Sequence, residues 1–339
     1  MTRHVRRTAS TSLNLAVMAV FTIAATSAAG AQPVQLVSGL QGASGSTVGP
    51  DGALYVTEGA AGRVSRVDPR TGAVTTFASG LPASAIGIGG AIDVVFLGRT
   101  AYVLVTLVGA DLDDIFGPGT VPPGGSTVGV YRIDGPTSHT VVADIGAYNL
   151  ENPPTGFDFF IPTGVQYAIE AFGGGLLVSD GHLNRVLWIS RDGEIHDLMA
   201  FGNVVPTGLE VWGHAILVAQ AGPVPHLPAD GRIVAFAPGA TSASIVASGG
   251  PLMVDVKRGR GATLFALAQG VWDGAFEGSP ALPNTGQLLR VNGDGTVSVV
   301  ASGLNIPTSF QVVGNTAYVV TLTGEVWMVP DIASPPFGR

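Results

Sequence analysis

A short pattern of strands and turns recurs along this chain, and its two ends are incomplete in complementary ways. The pattern is clearest over residues 49–81, GPDGALYVTEGAAGRVSRVDPRTGAVTTFASGL, where apolar runs of about five residues alternate with Gly- and Asp-containing turns. Such runs and turns are the mark of antiparallel hairpins. Related units follow over residues 91–145, 162–202, 206–249, 251–304 and 306–330. The last of these stops after three runs, IPTSFQVV, TAYVVTL and GEVWMVP, where the others have four. The missing run lies at the other end of the chain. PVQLVSGL (33–40) has no hairpin partner beside it and matches VTTFASGL (74–81) and VSVVASGL (297–304). A ring in which the leading strand completes the last sheet removes the unpaired edge that an open array would expose. The expected fold is therefore all-β, a six-bladed β-propeller of four-stranded blades over residues 32–331, with a tail at 332–339.

Composition agrees with short buried strands and tight turns. Hydrophobic residues make up 46% of the 339, charged residues 12%, and there are 49 Gly. The first 31 residues differ from the rest. Arg3, Arg6 and Arg7 precede an apolar run from Leu13 to Ala25 and then Ala29-Gly30-Ala31, the order of a cleaved export signal, so the mature chain is expected to begin at Gln32. The run is shorter than the roughly 20 residues needed to span a bilayer, and no later stretch is long and apolar enough to do so. Arg6-Arg7 leaves a twin-arginine route open beside the general one. A secreted or periplasmic protein is expected, with no membrane span after signal removal.

Removing the signal leaves 13 basic residues against 24 acidic, a net charge of −11. Such a balance disfavours nucleic acid and anionic lipid as partners. The chain has no Cys, which excludes disulfides, thiolate chemistry and Cys-ligated metals. A monomer is expected.

Antiparallel connectivity fixes where function can sit. If A is the inner strand and D the outer, A–B and C–D turns share one face, and B–C loops and D–A crossovers share the other. The long segments 109–127, 221–230 and 270–285 are B–C loops, and 146–161 is a D–A crossover. Every long insertion thus falls on one face, where a small-molecule or protein partner is expected.

Two sets of polar residues belong to that face. At the starts of inner strands, Asp93 (AIDVV) and Asp255 (MVDVK) take the place filled by Gly164 (PTGV) and Gly208 (PTGL) elsewhere. Units two and five are opposite in a ring of six, so these two carboxylates are expected to face across the channel mouth. At the ends of B strands come Glu58, Asp180 and Gln220. Converging carboxylates can hold calcium or another divalent cation, with Asp93 and Asp255 as its ligands, or act as a general acid–base pair. They can equally cap backbone amides at the blade centres.

Other motifs carry less. Asp111-Leu-Asp113-Asp114 resembles part of a calcium loop but lacks its Gly and terminal Glu, and reads as a solvated loop. Of the six His, His182 and His226 fall on the loop face. Trp188, Trp212 and Trp327 lie inside strands as packing residues, whereas Trp272, in a long loop, is placed to stack on a ligand.

PDGALYVTEGAAGRVSRVDPRTGAVTTFASGL, PTGVQYAIEAFGGGLLVSDGHLNRVLWI, PTGLEVW and ASGLNIPTSFQVVGNTAYVVT resemble the ScyD/ScyE family of exported NHL-like propellers, across residues 33–330. The family takes its name from a gene cluster for the sunscreen pigment scytonemin, and the resemblance implies fold and export rather than a chemistry. A looser similarity is to gluconolactonase-like propellers, which hold a divalent metal at the channel mouth through Glu, Asn and Asp. Asp255 matches the Asp of that set, but no Asn stands at an inner-strand start. The reading favoured here is a binding or accessory protein with its ligand on the long-loop face. The alternative is a metal-assisted hydrolase or lyase using Asp93, Asp255, Glu58 and Asp180.

Overall fold

The computed structural model describes residues 32–156, 159–276 and 278–334. The expected export signal lies outside the described residues. Six separate four-stranded antiparallel sheets are present, and five of them use consecutive strands in order. The sixth is built from Pro307–Val313, Thr316–Thr321 and Val326–Val329, with Val34–Val37 as its outer strand. Val34 pairs with Met328 and Gln35 with Trp327, so the leading segment closes the ring as its sequence match demands.

The strands differ by their depth in each blade. B strands such as Leu54–Glu58 and Leu264–Ala268 are buried at every position, because neighbouring blades cover both of their faces. Outer strands such as Val74–Ser79 and Ser138–Asp144 are mostly exposed or half-buried and carry Thr, Ser and His. Apolar clusters form chiefly between blades. One joins Tyr55 and Val64 of blade 1 to Val94 and Val103 of blade 2, and another joins Phe265 and Leu267 of blade 5 to Phe310 and Val319 of blade 6. The last described residues continue this packing, with Ile332 and Ala333 buried in the blade 5–6 cluster.

All six inner strands shift register near their start, at Ala43/Ser46, Ala91/Asp93, Gln166/Ala168, Pro206/Leu209, Met253/Asp255 and Pro307/Ser309. A bulge re-aims the side chains that follow it. Here it aims them at the central axis. The long insertions all connect strands on the face deduced from connectivity. The acidic stretch at 111–114 is not a solvated loop. It forms the helix Asp111–Phe116, with Leu112 buried and Asp111 accepting hydrogen bonds from Thr163 Oγ1 at 2.8 Å and Thr163 N at 3.4 Å. Among the described residues no helix is long and apolar enough to cross a membrane. Trp188 and Trp327 pack on the core, but Trp212 is 41% exposed at the end of its strand, beneath the Arg258 guanidinium.

Candidate functional site

The inner strands enclose a central cavity of about 170 Å³ that opens towards the long-loop face. Its lining includes Asp93, Glu170, Asp255, Lys257 and Gln311 from inner strands. Nearer the mouth stand Ile88, Leu107, Leu252 and Leu322, with His226 and Ser279 from two of the long insertions. Those insertions also expose Phe116, Leu150, Phe160, Leu227, Phe276 and Leu282, each by 45% or more. Exposed apolar side chains thus stand on the face where the cavity opens, above a charged floor.

Asp93 and Asp255 do line one cavity, and both are engaged in the same way. Asp93 accepts the amide of Val94 on Oδ1 at 2.8 Å and that of Ile169, in the next blade, on Oδ2 at 2.9 Å. Asp255 accepts Val256 N at 2.8 Å and, again from the next blade, Phe310 N at 3.1 Å. Each carboxylate thus staples two inner strands. A side chain at Gly45 or Gly208 would collide with Asp93 or Asp255 at under 3 Å, so the preceding blade must present glycine there. Gly208 holds the place expected of it. Gly164 does not, because it precedes its inner strand, and Ala168 is the first residue beyond the shift in that blade.

Lys257, two residues beyond Asp255 and so on the same side of the strand, places Nζ 3.1 Å from Asp255 Oδ1 and donates to Leu209 O at 2.7 Å. Burial pushes its pKa down, but the carboxylates of Asp255, Glu170, Glu210 and Asp93 outweigh that and raise it. The ammonium stays charged. Glu170, at the matching position in blade 3, accepts one hydrogen bond, from Ala171 N to its Oε1 at 3.0 Å. Burial pushes its pKa up to about 7, and that of Asp93 up to about 8, with Lys257 opposing both.

A raised carboxyl pKa means that the folded chain holds the proton more tightly than the unfolded one. The stability this confers is complete below the unfolded value near ~4 and is lost as pH rises through the folded value. Unfolding free energy is therefore expected to fall between pH 5 and pH 9. Glu170→Gln should flatten the portion below about 7, where one such group can contribute a slope of up to ~1.4 kcal/mol per pH unit. Urea titrations at each pH read this directly, and coincident wild-type and variant profiles would overturn the assignment to Glu170.

The B-strand residues lie apart from this cavity. Glu58 is fully buried and receives Arg63 Nε at 2.8 Å, Arg63 Nη2 at 2.7 Å and Gln41 N at 2.7 Å, besides Ser65 Oγ. Burial favours its neutral form, but these donors prevail and lower its pKa. Asp180 takes Asn149 Nδ2 at 2.8 Å and Gln166 Nε2 at 3.2 Å, with Arg185 Nε at 3.8 Å. Arg185, 2% exposed, reaches on to Asn149 Oδ1 and Asp197 and so ties the crossover helix Ile145–Glu151 to blade 3. Burial raises the Asp180 pKa to about 6, against Arg185 and the amide donors. Gln220 is buried in register with Arg232.

The pattern behind these pairs was legible. Glu58-Gly-Ala-Ala-Gly-Arg63-Val64 and Asp180-Gly-His-Leu-Asn-Arg185-Val186 share an acid, a Gly, a left-handed residue and an Arg. Gly62 and Asn184 have φ of 57° and 56°, which the tight B–C turn requires. Glu58 and Asp180 are turn braces. Asp255-x-Lys257 likewise shows a same-side charge pair that sequence reasoning passed over, whereas Glu170 and Glu210 carry no comparable local signal.

Trp272 does not stand free to stack. It bridges to Ala281, meets His226 edge-on at 5.5 Å and packs with Ala221 and Leu252. Burial lowers the His226 pKa, so this wall of the mouth is neutral. His182 accepts Ile161 N on Nε2 at 3.2 Å, and burial lowers its pKa to about 4.

The divalent cation expected of Asp93 and Asp255 does not suit these donors. All four carboxylate oxygens already accept backbone amides, and an ammonium sits against one of them. Among the described residues no group of three or more His, Asp or Glu is placed to hold an ion.

No protein-family model matches the chain, and no curated protein does. Solved structures do. A gluconolactonase from Xanthomonas campestris is 13% identical, with 88% of this chain and 89% of that one covered at a TM-score of 0.58. The PQQ-bound aldose sugar dehydrogenase of Streptomyces coelicolor is 13% identical over 87% and 96%, at 0.59. Virginiamycin B lyase from Staphylococcus aureus is 14% identical over 88% and 98%, at 0.52. At such identities the shared property is the architecture, and the chain is a six-bladed β-propeller.

Proposed function

We propose that this chain is an exported binding or accessory protein of the ScyD/ScyE type, taking a small molecule at the mouth of its central channel. The observation that carries this reading is that the cavity opens on the one face bearing every long insertion, with residues of two of those insertions in its wall. Rigid scaffold below and adaptable loops above is the usual construction of a ligand site. The alternative of a metal-assisted hydrolase or lyase draws on the gluconolactonase and lyase likenesses. It would have to use Asp93 and Asp255 oxygens that the propeller employs to join its blades. The binding reading is therefore preferred.

Nile red, a neutral apolar dye, is a suitable first probe. It is expected to bind the mature chain with increased fluorescence. Ile88→Trp with Leu322→Trp fills the mouth at positions that are 41% exposed and half-buried, where the fold tolerates change. That variant should weaken binding by about fivefold or more with unchanged melting. Undiminished binding to a folded double variant would rule out the mouth as the site.

A further inference from the structure

The channel carboxyls are unevenly partnered, and the unevenness has a definite place. Among the described residues Asp93, Glu170 and Asp255 line the cavity with one cation, Lys257. Burial shifts Asp93 and Glu170 towards their neutral forms, so an excess of negative charge develops as Glu170 ionises above about pH 7. Asp93 spends both oxygens on backbone amides, and Asp255 on two amides and the Lys257 ammonium. Glu170 is the exception. Its Oε1 accepts Ala171 N, and among the described residues no hydrogen bond is made to Oε2. Above this floor the mouth is largely apolar, with Ile88, Leu107, Leu252 and Leu322 beside the polar Gln269 and Ser279, and burial lowers the pKa of His226 in its wall. Among the described residues Lys257 is the one Lys or Arg in the lining.

We propose that the channel takes an amphipathic organic cation, an apolar body bearing one protonated amine, with Glu170 as the counter-ion that receives the amine. The inference rests on the reading of the mouth as a ligand site and adds the ligand's chemical class. An ammonium delivered to Glu170 pairs with the carboxylate that forms above about pH 7 and donates to the solvent-reached Oε2, while the apolar body replaces water along the upper wall. Glu170 is half-buried, and Coulomb attraction there is worth more than at a fully exposed site. A neutral alcohol of the same shape could donate the hydrogen bond but would leave the charge uncorrected. An anion would be repelled by Glu170. Lys257 does not invite one, because Asp255 and Leu209 O already engage it.

The test uses three probes of one shape, 4-phenylbutylamine, 4-phenylbutan-1-ol and 4-phenylbutanoate, titrated calorimetrically into the mature chain at pH 8. The amine is expected to bind at least about tenfold more tightly than the alcohol, and the carboxylate most weakly. Glu170→Gln keeps the side-chain shape and should bring the amine down to the level of the alcohol, leaving the alcohol unchanged. Equal affinity for amine and alcohol in the wild type, or an amine preference that survives in Glu170→Gln, overturns the proposal. So does failure of all three probes to bind. Nile red separates the two levels of inference. If the dye still enters the mouth, only the cationic class falls, whereas exclusion of the dye as well removes the ligand site itself.

Discussion

Deleting residues 33–40 from the mature chain is expected to cost more stability than any single substitution. The strand Val34–Val37 supplies the outer edge of blade 6, and Leu40 N adds a bond to Gly324 O at 3.0 Å. Val37 and Leu40 are 6% and 7% exposed and join Ala43 and Leu54 of blade 1 to Tyr318, Val320 and Val326 of blade 6. Losing two such side chains from a core removes roughly 3–6 kcal/mol. The backbone of Val326–Val329 would in addition become an open edge, prone to pairing with another chain. Urea unfolding should show a much lower midpoint together with self-association. A synthetic peptide of residues 33–41 should restore most of the loss, since it can pair with the exposed edge. An unchanged midpoint in the truncated chain would mean that the ring does not depend on this closure.

The second large effect is expected at Asp255. Asp255→Ala leaves the Lys257 ammonium, whose side chain is only 12% exposed, without its nearest counter-charge, and strands the amide of Phe310. Breaking a buried pair from one side costs about 3–5 kcal/mol, because the remaining charge is no longer compensated. Removing both charges should cost less than removing one. Asp255→Asn with Lys257→Met is therefore expected to be more stable than Asp255→Asn alone, and the double-mutant cycle gives the coupling. Additive losses would show that the two groups do not act as a pair. The loss at Asp93→Asn should be smaller, since no ammonium lies against that carboxylate, although one of its two amide bonds cannot be replaced.

The repeat, the half-unit at each end and the turn chemistry are local or periodic properties, and together they determine six blades, the closing strand and the face that bears the insertions. The Glu58–Arg63 and Asp180–Arg185 braces are local in the same sense, because their partners lie five residues apart across one turn. Asp93 and Asp255 were rightly placed on a common cavity, since opposite units of a ring must share its axis. Their role was not readable. It depends on the amides of Ile169 and Phe310, which are 76 and 55 residues away and come within reach only when neighbouring blades pack.

The sequence by itself thus determined the architecture, because hairpin pairing and ring closure follow from short-range pattern and from the need to leave no sheet edge open. Only the tertiary structure decided which channel carboxylates are consumed in holding blades together and which one, Glu170, is left facing the cavity. The physical reason is that a side chain's hydrogen bonds and charge environment are set by whatever the ring brings beside it, and those neighbours come from distant turns of the chain.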